Sequence, residues 1–406
     1  MIKVAIMGYG TVGAGVYEAV VTNQKVIAAE IGEALEVKRI LDLRKFPGDP
    51  AEQLITDKFS DIEEDEEISL VVETMGGTTP AYEFVKASLL KGKHVVTSNK
   101  ALVAAHGTEL LQIARDRKVN FFFEAAVGGG IPVIRTLGTG YQGQVITEIT
   151  GILNGTTNYI LTRMDREGAE FGDVLADAQR LGYAERNPEA DIEGHDTCRK
   201  IAILSSLVTG KEVNFEDVYT EGISKIDSTD FRYALELKAS IKLVGAAQFA
   251  GNQVTVSVFP LLVSDENPLY AVQGVYNGIV IKGNLLGTTM LYGSGAGKLP
   301  TASAVLADMM EAAKHKNENV RFGWTAEKQA VTSHESEKHR YFVRLSGDAA
   351  SLAAAKEQFE AERVIQLPGL EEVAIVSAPM TEFTYRERAA KVPNILAMIR
   401  AELSER

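Results

Sequence analysis

Several carboxylates precede a single lysine in the segment that runs from residue 178 to residue 200. If a helix begins just before Asp196, then Asp196 and Lys200 are four residues apart and share one face of it. Glu185 and Asp191 come earlier, in a loop. These carboxylates could hold an ammonium group beside a lysine that exchanges a proton, and the alternative is an ordinary ion pair between Asp196 and Lys200.

A second lysine, Lys100, follows a strand-like run that ends at Thr97. Two lysines near one site would lower each other's pKa from about 10.4 toward the working pH. By itself, Lys100 fits a solvated lysine at a helix start equally well. The only cysteine, Cys198, is two residues from Lys200 and therefore points to another side of the helix. Since aldehyde oxidation to the acyl level commonly uses a cysteine, the residues favour alcohol–aldehyde interconversion, which needs hydride transfer and one proton.

A glycine-rich turn follows the first strand-like run of the chain. Gly8 permits the tight turn, Gly10 lets the backbone approach a pyrophosphate, and Gly13 allows close packing of the next helix. That helix begins at Thr11 and Val12, whose N–H groups would face the phosphates. The turn predicts a bound NAD or NADP.

The residues after the second strand leave the choice of dinucleotide open. Asp42 is placed to accept hydrogen bonds from the adenosine ribose, which favours NAD. Arg44 and Lys45 follow at once, and these cations are suited to the extra phosphate of NADP.

Strand and helix patterns alternate over the first 125 residues, in the order typical of an α/β fold with a Rossmann-type doubly wound sheet. The predicted strands are 2–7, 37–43, 70–73, 94–97 and 120–125. The predicted helices are 12–29, 80–90 and 101–118.

The pattern changes after Gly130, where a second, α+β domain is predicted. We place the dinucleotide-binding domain at 1–135 with a return segment near 295–313, and the second domain at 136–310. The polar stretch 311–338 is interpreted as a linker. The remainder, 339–406, has the pattern of a small βαββ unit followed by a helix at 394–403.

Composition excludes several classes of protein. The net charge of −13 over 406 residues opposes nucleic-acid binding. No apolar run approaches the roughly 20 residues needed to span a bilayer, so no membrane role is predicted. The single cysteine, and an N-terminus without the features of a signal peptide, are consistent with a cytoplasmic protein.

The chain resembles homoserine dehydrogenases from residue 1 to about residue 310. The most specific likeness is the segment 178–200, which agrees with the family signature at Gly182, Pro188, Asp191, Gly194, Asp196 and Lys200. Supporting stretches are 73–77, 97–100, 124–132, 153–158 and 292–302.

The resemblance implies reversible reduction of L-aspartate 4-semialdehyde to L-homoserine, on the route to threonine and methionine. It implies that Lys200 is the proton donor and that Lys100 lies beside the reacting oxygen and the nicotinamide. The implied substrate-lining residues are Gly155, Thr156, Tyr183, Glu185, Asp191 and Asp196. The implied further cofactor contacts are Met75, Gly76, Gly295, Ala296 and Gly297. A sodium ion is implied on backbone oxygens of Glu124, Val127, Gly129 and Ile131.

The resemblance also implies a homodimer or homotetramer, with residues 136–310 serving catalysis and dimerisation. The tail resembles an ACT-type domain in length and element order, but the stretch after Gly347 lacks the Asp-x-Pro-Gly turn of those modules. We therefore expect subunit contact or packing there, with no threonine feedback. The alternative from another class is a non-catalytic dinucleotide-sensing regulatory protein. The presence of Lys100 and Lys200 argues against it, since a sensor needs no proton donor.

Overall fold

The structure is a computed structural model that describes residues 1–404. The contacts between Cα atoms divide it into two compact units, each built from three stretches of chain. The first unit contains Met1–Gly143, Ala202–Phe215 and Gly293–Gln329. The second unit contains Gln144–Ile201, Glu216–Tyr292 and the described residues from Ala330 onward. No helix of the described residues is long and apolar enough to cross a membrane.

The first unit is organised around a six-stranded parallel sheet with strand order β3-β2-β1-β4-β5-β6. This is the order of the Rossmann fold, and it confirms the predicted doubly wound sheet. The strands are β1 (Ile2–Met7), β2 (Leu35–Leu41), β3 (Ile55–Thr56), β4 (Ile68–Glu73), β5 (His94–Thr97) and β6 (Phe121–Phe122). The helices among them are α1 (Thr11–Thr22), α2 (Gln24–Ile31), α3 (Ser60–Glu63), α4 (Ala81–Leu90), α5 (Lys100–Arg117) and α6 (Val133–Arg135).

The central strands of this sheet are covered on both faces. Val4, Ile6 and Val72 are buried in one core together with Val305 and Met309. Near-continuous apolar strands are expected where helices cover both sides of a parallel sheet. Their apolar runs are therefore strong sequence signals, and they position the strand ends that carry the site.

Two predictions in this region were wrong in detail. The helix predicted over 12–29 is interrupted at Asn23, which ends α1 and precedes α2. Asparagine favours helix caps because its side chain competes for backbone hydrogen bonds. The strand predicted over 120–125 is only β6, because Glu124–Ala126 form a 3₁₀ turn.

The second unit contains an eleven-stranded sheet, of which nine strands follow the order β13-β12-β7-β10-β11-β19-β15-β17-β16. Between residues 146 and 294 the elements in chain order are β7 (Ile146–Ile152), α7 (Gly155–Glu167), α8 (Phe171–Arg180), α9 (Glu189–Ile192), α10 (His195–Thr209), β8 (Lys211–Glu212), β9 (Tyr219–Thr220), α11 (Ser228–Glu236), β10 (Ala239–Ala250), β11 (Gln253–Ser264), β12 (Tyr276–Gly283) and β13 (Gly287–Ser294). Next come α12 (Lys298–Lys314) and β14 (Thr325–Lys328), which with β8 belong to the first unit.

The C-terminal strands continue the same sheet. They comprise β15 (Lys338–Ser346), α13 (Ala349–Phe359), β16 (Arg363–Ile365), β17 (Glu372–Val376), β18 (Met380–Thr381), α14 (Glu382–Ala389) and β19 (Ile395–Glu402). The last strand, β19, pairs in parallel with β11 and antiparallel with β15.

The helix predicted at 394–403 was therefore wrong, because this segment is β19. Its Leu, Ala, Met, Arg and Glu residues are good helix formers, yet the segment lies between two strands that leave a place for a third. Pairing on both edges outweighs the helix preference of these residues, which amounts to about 0.5 kcal/mol or less at each position.

The segment predicted as a linker has packed residues. Trp324 is buried, its indole N–H donates to the Thr108 hydroxyl at 2.8 Å, and its carbonyl oxygen accepts from Arg115 at 2.6 Å. These contacts lie within the first unit. The domain limits given by the sequence remain predictions.

Candidate active site

The glycine turn joins β1 to α1 in the conformation that the sequence predicts. Gly8 has φ of +95°, a region that favours glycine. A Cβ added to Gly13 would lie 1.9 Å from the Gly8 carbonyl oxygen, so only glycine lets α1 pack this close to the turn. Gly10 is the N-cap of α1 and has no side chain to cap it. The first N–H groups of α1, at Thr11, Val12 and Gly13, are therefore suited to bind an anionic group.

The acidic residue after β2 is tied to the same turn. The Asp42 carboxylate accepts from the Tyr9 backbone N–H at 2.8 Å and from Arg44 through both Nε and Nη2, at 2.9 and 2.8 Å. The Arg44 guanidinium lowers the pKa of Asp42 to about 2. Asp42 is nearly buried, whereas 62% of the Arg44 side chain is exposed. Arg44 is thus the more accessible of the two groups.

The end of β4 forms the other side of this sheet edge. Glu73 is fully buried; its Oε1 accepts from the backbone N–H of Met75 at 2.7 Å and its Oε2 from the Thr97 hydroxyl at 2.6 Å. Burial raises the pKa of Glu73. A Cβ on Gly8 would lie 2.9 Å from the Met75 nitrogen. The loop that contains Met75 and Gly76 is therefore held against the glycine turn, at the point where strand order reverses and where ligands bind in such sheets.

Lys100 is the first residue of α5 and lies at the same edge. Its neighbour Asn99 caps the helix, since Oδ1 accepts from the Leu102 N–H at 3.1 Å. The Asn99 amide also donates to the Gly77 carbonyl oxygen at 2.6 Å. Lys100 is partly buried, and the residue before it is bound to the loop after β4. Lys100 does begin a helix, and its role at this edge remains a prediction.

The segment before α12 packs on the loop after β6. A Cβ on Gly129, which has φ of +56°, would lie 2.4 Å from the Gly295 carbonyl and 2.8 Å from the Ala296 nitrogen. The Gly130 N–H donates to Ser294 at 3.1 Å, and Gly297 is the N-cap of α12. The chain returns to the first unit at Gly293, and Gly295 and Ala296 pack against this loop.

The buried carboxyl of Glu124 organises the loop that contains Val127, Gly129 and Ile131. Its oxygens accept from the backbone N–H groups of Ile134 and Arg135 at 2.8 and 2.7 Å. Burial, with Asp308 nearby, raises the pKa of Glu124 to about 7.

The second unit holds the lysine and carboxylates of the 178–200 segment. The predicted helix is present as α10, and the Lys200 ammonium lies 2.8 Å from Asp196 Oδ2. It also donates to the Leu153 carbonyl oxygen at 2.6 Å. Lys200 and Asp196 are both buried. Asp191 lies in the short helix α9, where the sequence had predicted a loop.

A residue that the sequence analysis did not single out joins the two aspartates. The Asn154 amide donates to Asp191 at 2.7 Å and to Asp196 at 2.9 Å. Its Oδ1 accepts from the Thr157 N–H at 2.9 Å and caps α7. An asparagine directly before a helix was a signal for a cap, but not for contact with carboxylates 37 and 42 residues away.

The remaining predicted substrate residues lie near the N-terminus of α7 and after α8. Gly155 approaches Val275 so closely that a Cβ would lie 2.7 Å from its carbonyl oxygen. The Thr156 hydroxyl donates to the Tyr183 carbonyl oxygen at 2.5 Å. Tyr183 and Glu185 are exposed.

Cys198 is buried in α10, and burial raises the pKa of its thiol. A thiol that resists ionisation is a poor nucleophile, which supports its interpretation as a packing residue. Among residues 1–404, no group of three or more His, Cys, Asp and Glu side chains could hold a metal ion.

The chain is similar in sequence and in fold to known proteins. The family model "Homoserine dehydrogenase" matches residues 132–310, and "Homoserine dehydrogenase, NAD binding domain" matches residues 8–124. The homoserine dehydrogenase of Pseudomonas aeruginosa is 43% identical over 311 residues, covering 76% of this chain and 72% of that protein. The Bacillus subtilis enzyme is 40% identical over 327 residues, covering 80% and 75%.

The chain belongs to the homoserine dehydrogenase family. A solved homoserine dehydrogenase from Thiobacillus denitrificans superposes with a TM-score of 0.92 at 35% identity, over 99% of this chain and 98% of that one. A hyperthermophilic archaeal homoserine dehydrogenase in complex with NADPH superposes with a TM-score of 0.65 at 28% identity, covering 77% and 97%.

This membership confirms the resemblance and makes the protein an NAD(P)-dependent oxidoreductase. Homoserine dehydrogenases interconvert L-aspartate 4-semialdehyde and L-homoserine, a step toward threonine and methionine. A nicotinamide dinucleotide is the cofactor, consistent with the NAD-binding family model and the glycine turn. The alternative of a non-catalytic sensor is not favoured.

Proposed function

We propose that, in the homoserine dehydrogenase reaction, Lys200 is the proton donor and Lys100 acts beside the nicotinamide. The observation that carries this is the Lys200 ammonium, buried and fixed 2.8 Å from Asp196. A dinucleotide held at the turn from Gly8 to Gly13 would supply the hydride that the aldehyde carbon accepts. Lys200 gives a proton to the aldehyde oxygen as it becomes the alcohol of homoserine, and it removes that proton in the reverse direction.

Asp191 and Asp196 bind the substrate ammonium in this account. Both carboxylates accept hydrogen bonds from Asn154, which fixes their direction. Gly155 and Thr156 lie in the first turn of α7, whose positive dipole end suits the substrate carboxylate. Tyr183 and Glu185 line the exposed side.

Substitution of Lys200 tests this role. We expect Lys200→Met to lower kcat by about 100-fold or more, since positioned acid–base groups contribute about 10²–10⁴-fold. Binding of NADPH, followed by its fluorescence, should be unchanged. Lys282→Met, which removes a half-exposed lysine paired with Glu148, is the control and should keep kcat. A Lys200→Met enzyme with wild-type kcat would remove Lys200 from this role.

We propose NADP as the preferred dinucleotide, with NAD as the alternative. Support comes from the exposed Arg44 guanidinium beside the turn and from Asp42, whose oxygens already accept from Arg44 and Tyr9. Arg44→Ala should raise the KM for NADP by about tenfold and leave the KM for NAD within about twofold. The reason is that only NADP has the extra phosphate, whose charge-assisted hydrogen bonds to Arg44 are each worth about 1.5–3 kcal/mol. Lys25→Ala, which removes an exposed cation of α2, is the control. An equal effect on both cofactors would contradict the proposal.

The sodium ion remains a proposal. Backbone carbonyls are hard oxygen donors of the kind that such a cation prefers, and Gly128 and Gly129 have positive φ, which turns successive carbonyls of the buried 124–131 loop. These residues fit the ion, with Glu124, Val127, Gly129 and Ile131 as its ligands. Replacing sodium with choline at constant ionic strength should lower the melting temperature of the apoprotein. No change would refute the site.

We likewise propose that the protein is a cytoplasmic homodimer or homotetramer and that its tail, residues 339–406, is ACT-like. Apart from the two-residue strand β18, the tail has the order strand–helix–strand–strand–helix–strand and the sheet order β19-β15-β17-β16. This is the ferredoxin-like arrangement, and it supports an ACT-like tail. Light scattering during gel filtration should give two or four times the 44.0 kDa chain mass. A mass of one chain would refute the assembly.

A further inference from the structure

The last strand of the chain carries a buried arginine. Only 2% of Arg400 is exposed, on a strand that lies between β11 and β15. Its Nη1 lies 2.7 Å from Glu221, and its Nε and Nη2 donate to Glu382 at 2.9 and 2.8 Å. The guanidinium also packs on the rings of Tyr219 and Phe259, 5.3 and 4.9 Å from their centroids. A buried cation needs such partners, and they leave it little freedom.

Glu221 links this arginine to the substrate segment. The Tyr219 hydroxyl donates to Glu221 at 3.0 Å, which fixes the same carboxylate from a second direction. The Glu221 N–H donates to Val258 at 2.8 Å, so the backbone here is bound to β11 as well. Glu221 is therefore held by both its side chain and its backbone.

Residues 221–223 pack directly against the end of α9. The Ile223 N–H donates to the Ile192 carbonyl oxygen at 2.8 Å. A Cβ on Gly222 would lie 2.2 Å from that oxygen and 2.4 Å from the Glu193 Cα. A shift of Glu221 would therefore move Ile192 and Glu193.

Ile192 and Glu193 lie between the two proposed substrate aspartates. Asp191 is in α9 and Asp196 is in the first turn of α10. Asn154 holds both aspartates from one side. The contact with residues 221–223 holds the backbone between them from another.

We propose that Arg400 and Glu221 are positioning residues for substrate binding, so that the C-terminal strand sets the placement of Asp191 and Asp196. The proposal rests on the substrate role proposed above for these aspartates. Every residue of the path belongs to the second unit, and none belongs to the dinucleotide edge. The C-terminal region thereby controls affinity for homoserine and leaves affinity for the dinucleotide unchanged.

Steady-state kinetics of Glu221→Gln test the proposal, since the amide keeps the shape but loses the charge paired with Arg400. We expect the KM for L-homoserine to rise about tenfold, as small misplacements of binding groups cost up to about 10²-fold. The kcat and the KM for NADP should stay within about twofold. Tyr219→Phe removes the hydroxyl that donates to Glu221 at 3.0 Å and accepts from Arg400 at 3.3 Å. It should raise the same KM about threefold, so it carries the test if Glu221→Gln does not fold.

Asp227→Asn is the matched control. Asp227 pairs with Arg344, a second buried arginine of the C-terminal strands, at 2.7 and 2.6 Å, but it caps α11 and has no bond to Ile192. It should lower the melting temperature and leave the KM for homoserine unchanged. An equal rise in KM would show general loosening and overturn the proposal, as would an unchanged KM in Glu221→Gln.

Asp196→Asn separates the two levels of the account. If it raises the KM for homoserine and Glu221→Gln does not, only the positioning role is refuted. If it leaves that KM unchanged, the substrate role of the carboxylates fails and the positioning role fails with it.

Discussion

Replacing Asn154 with serine isolates the contact between the amide and the two aspartates. Serine keeps an oxygen that can cap α7, so the helix should lose only a few tenths of a kcal/mol. The variant loses the Nδ2 group that donates to Asp191 at 2.7 Å and to Asp196 at 2.9 Å. The aspartates then lack the group that fixes their direction toward the substrate.

The magnitude follows from the number of bonds lost. A hydrogen bond to a charged group contributes about 1.5–3 kcal/mol, and about 1.4 kcal/mol corresponds to a factor of ten. Loss of one such bond at the lower value lowers kcat/KM for homoserine about 12-fold, and loss of both lowers it about 160-fold. We therefore expect a decrease of between about 10-fold and about 150-fold.

The assay is homoserine oxidation followed by the absorbance of reduced nicotinamide, together with thermal unfolding of the same samples. Asn158→Ser is the matched control on the same helix, because the buried Asn158 amide donates to the carbonyl oxygens of Gly274 and Tyr276. The control should lower the melting temperature and keep kcat/KM within about twofold. Wild-type kcat/KM in Asn154→Ser, or an equal loss in both variants, would refute the reasoning.

Two further predictions concern the glycine turn and pH. Gly13→Ala brings a Cβ to 1.9 Å from the Gly8 carbonyl oxygen, so the KM for the dinucleotide should rise at least about tenfold. Gly172→Ala is the control, because its Cβ meets nothing within 4 Å and the KM should not change. Intact cofactor binding in Gly13→Ala would contradict the close packing. Burial raises the pKa of Asp230 to about 6, above its unfolded value of about 3.9, so the folded state binds an extra proton between those pH values. The contribution of Asp230 to the free energy of unfolding therefore falls by up to about 3 kcal/mol as pH rises through that window. Urea unfolding of Asp230→Asn at pH 4, 5, 6 and 7 should show a free energy of unfolding that lacks this fall. The same change in free energy with pH in Asp230→Asn and wild type would exclude Asp230 as the cause.

The dinucleotide edge could be predicted from the sequence because its signals are local. The turn from Gly8 to Gly13 combines a buried strand, glycines at fixed spacing and a helix start within 13 residues. The four-residue spacing of Asp196 and Lys200 likewise gave their contact once a helix was assumed. In both cases neighbouring residues determine the geometry.

Features that depend on distant parts of the chain could not be predicted. Glu73 meets Thr97 only through the pairing of β4 with β5, and Asn154 meets Asp196 across 42 residues of chain. The strand β19 has the composition of a helix and becomes a strand because β11 and β15 lie on both sides of it. The pairing of Arg400 with Glu221 joins residues 179 positions apart. Tertiary contacts determine these features, and the neighbouring residues in the sequence give no signal for such contacts.

The most direct test of the central claim is the oxidation of L-homoserine by the purified wild-type chain at alkaline pH, with NADP and with NAD, followed by the absorbance of reduced nicotinamide. The account predicts reduced nicotinamide that depends on both homoserine and dinucleotide, with turnover lost in Lys200→Met. No reduced nicotinamide with either dinucleotide would contradict it.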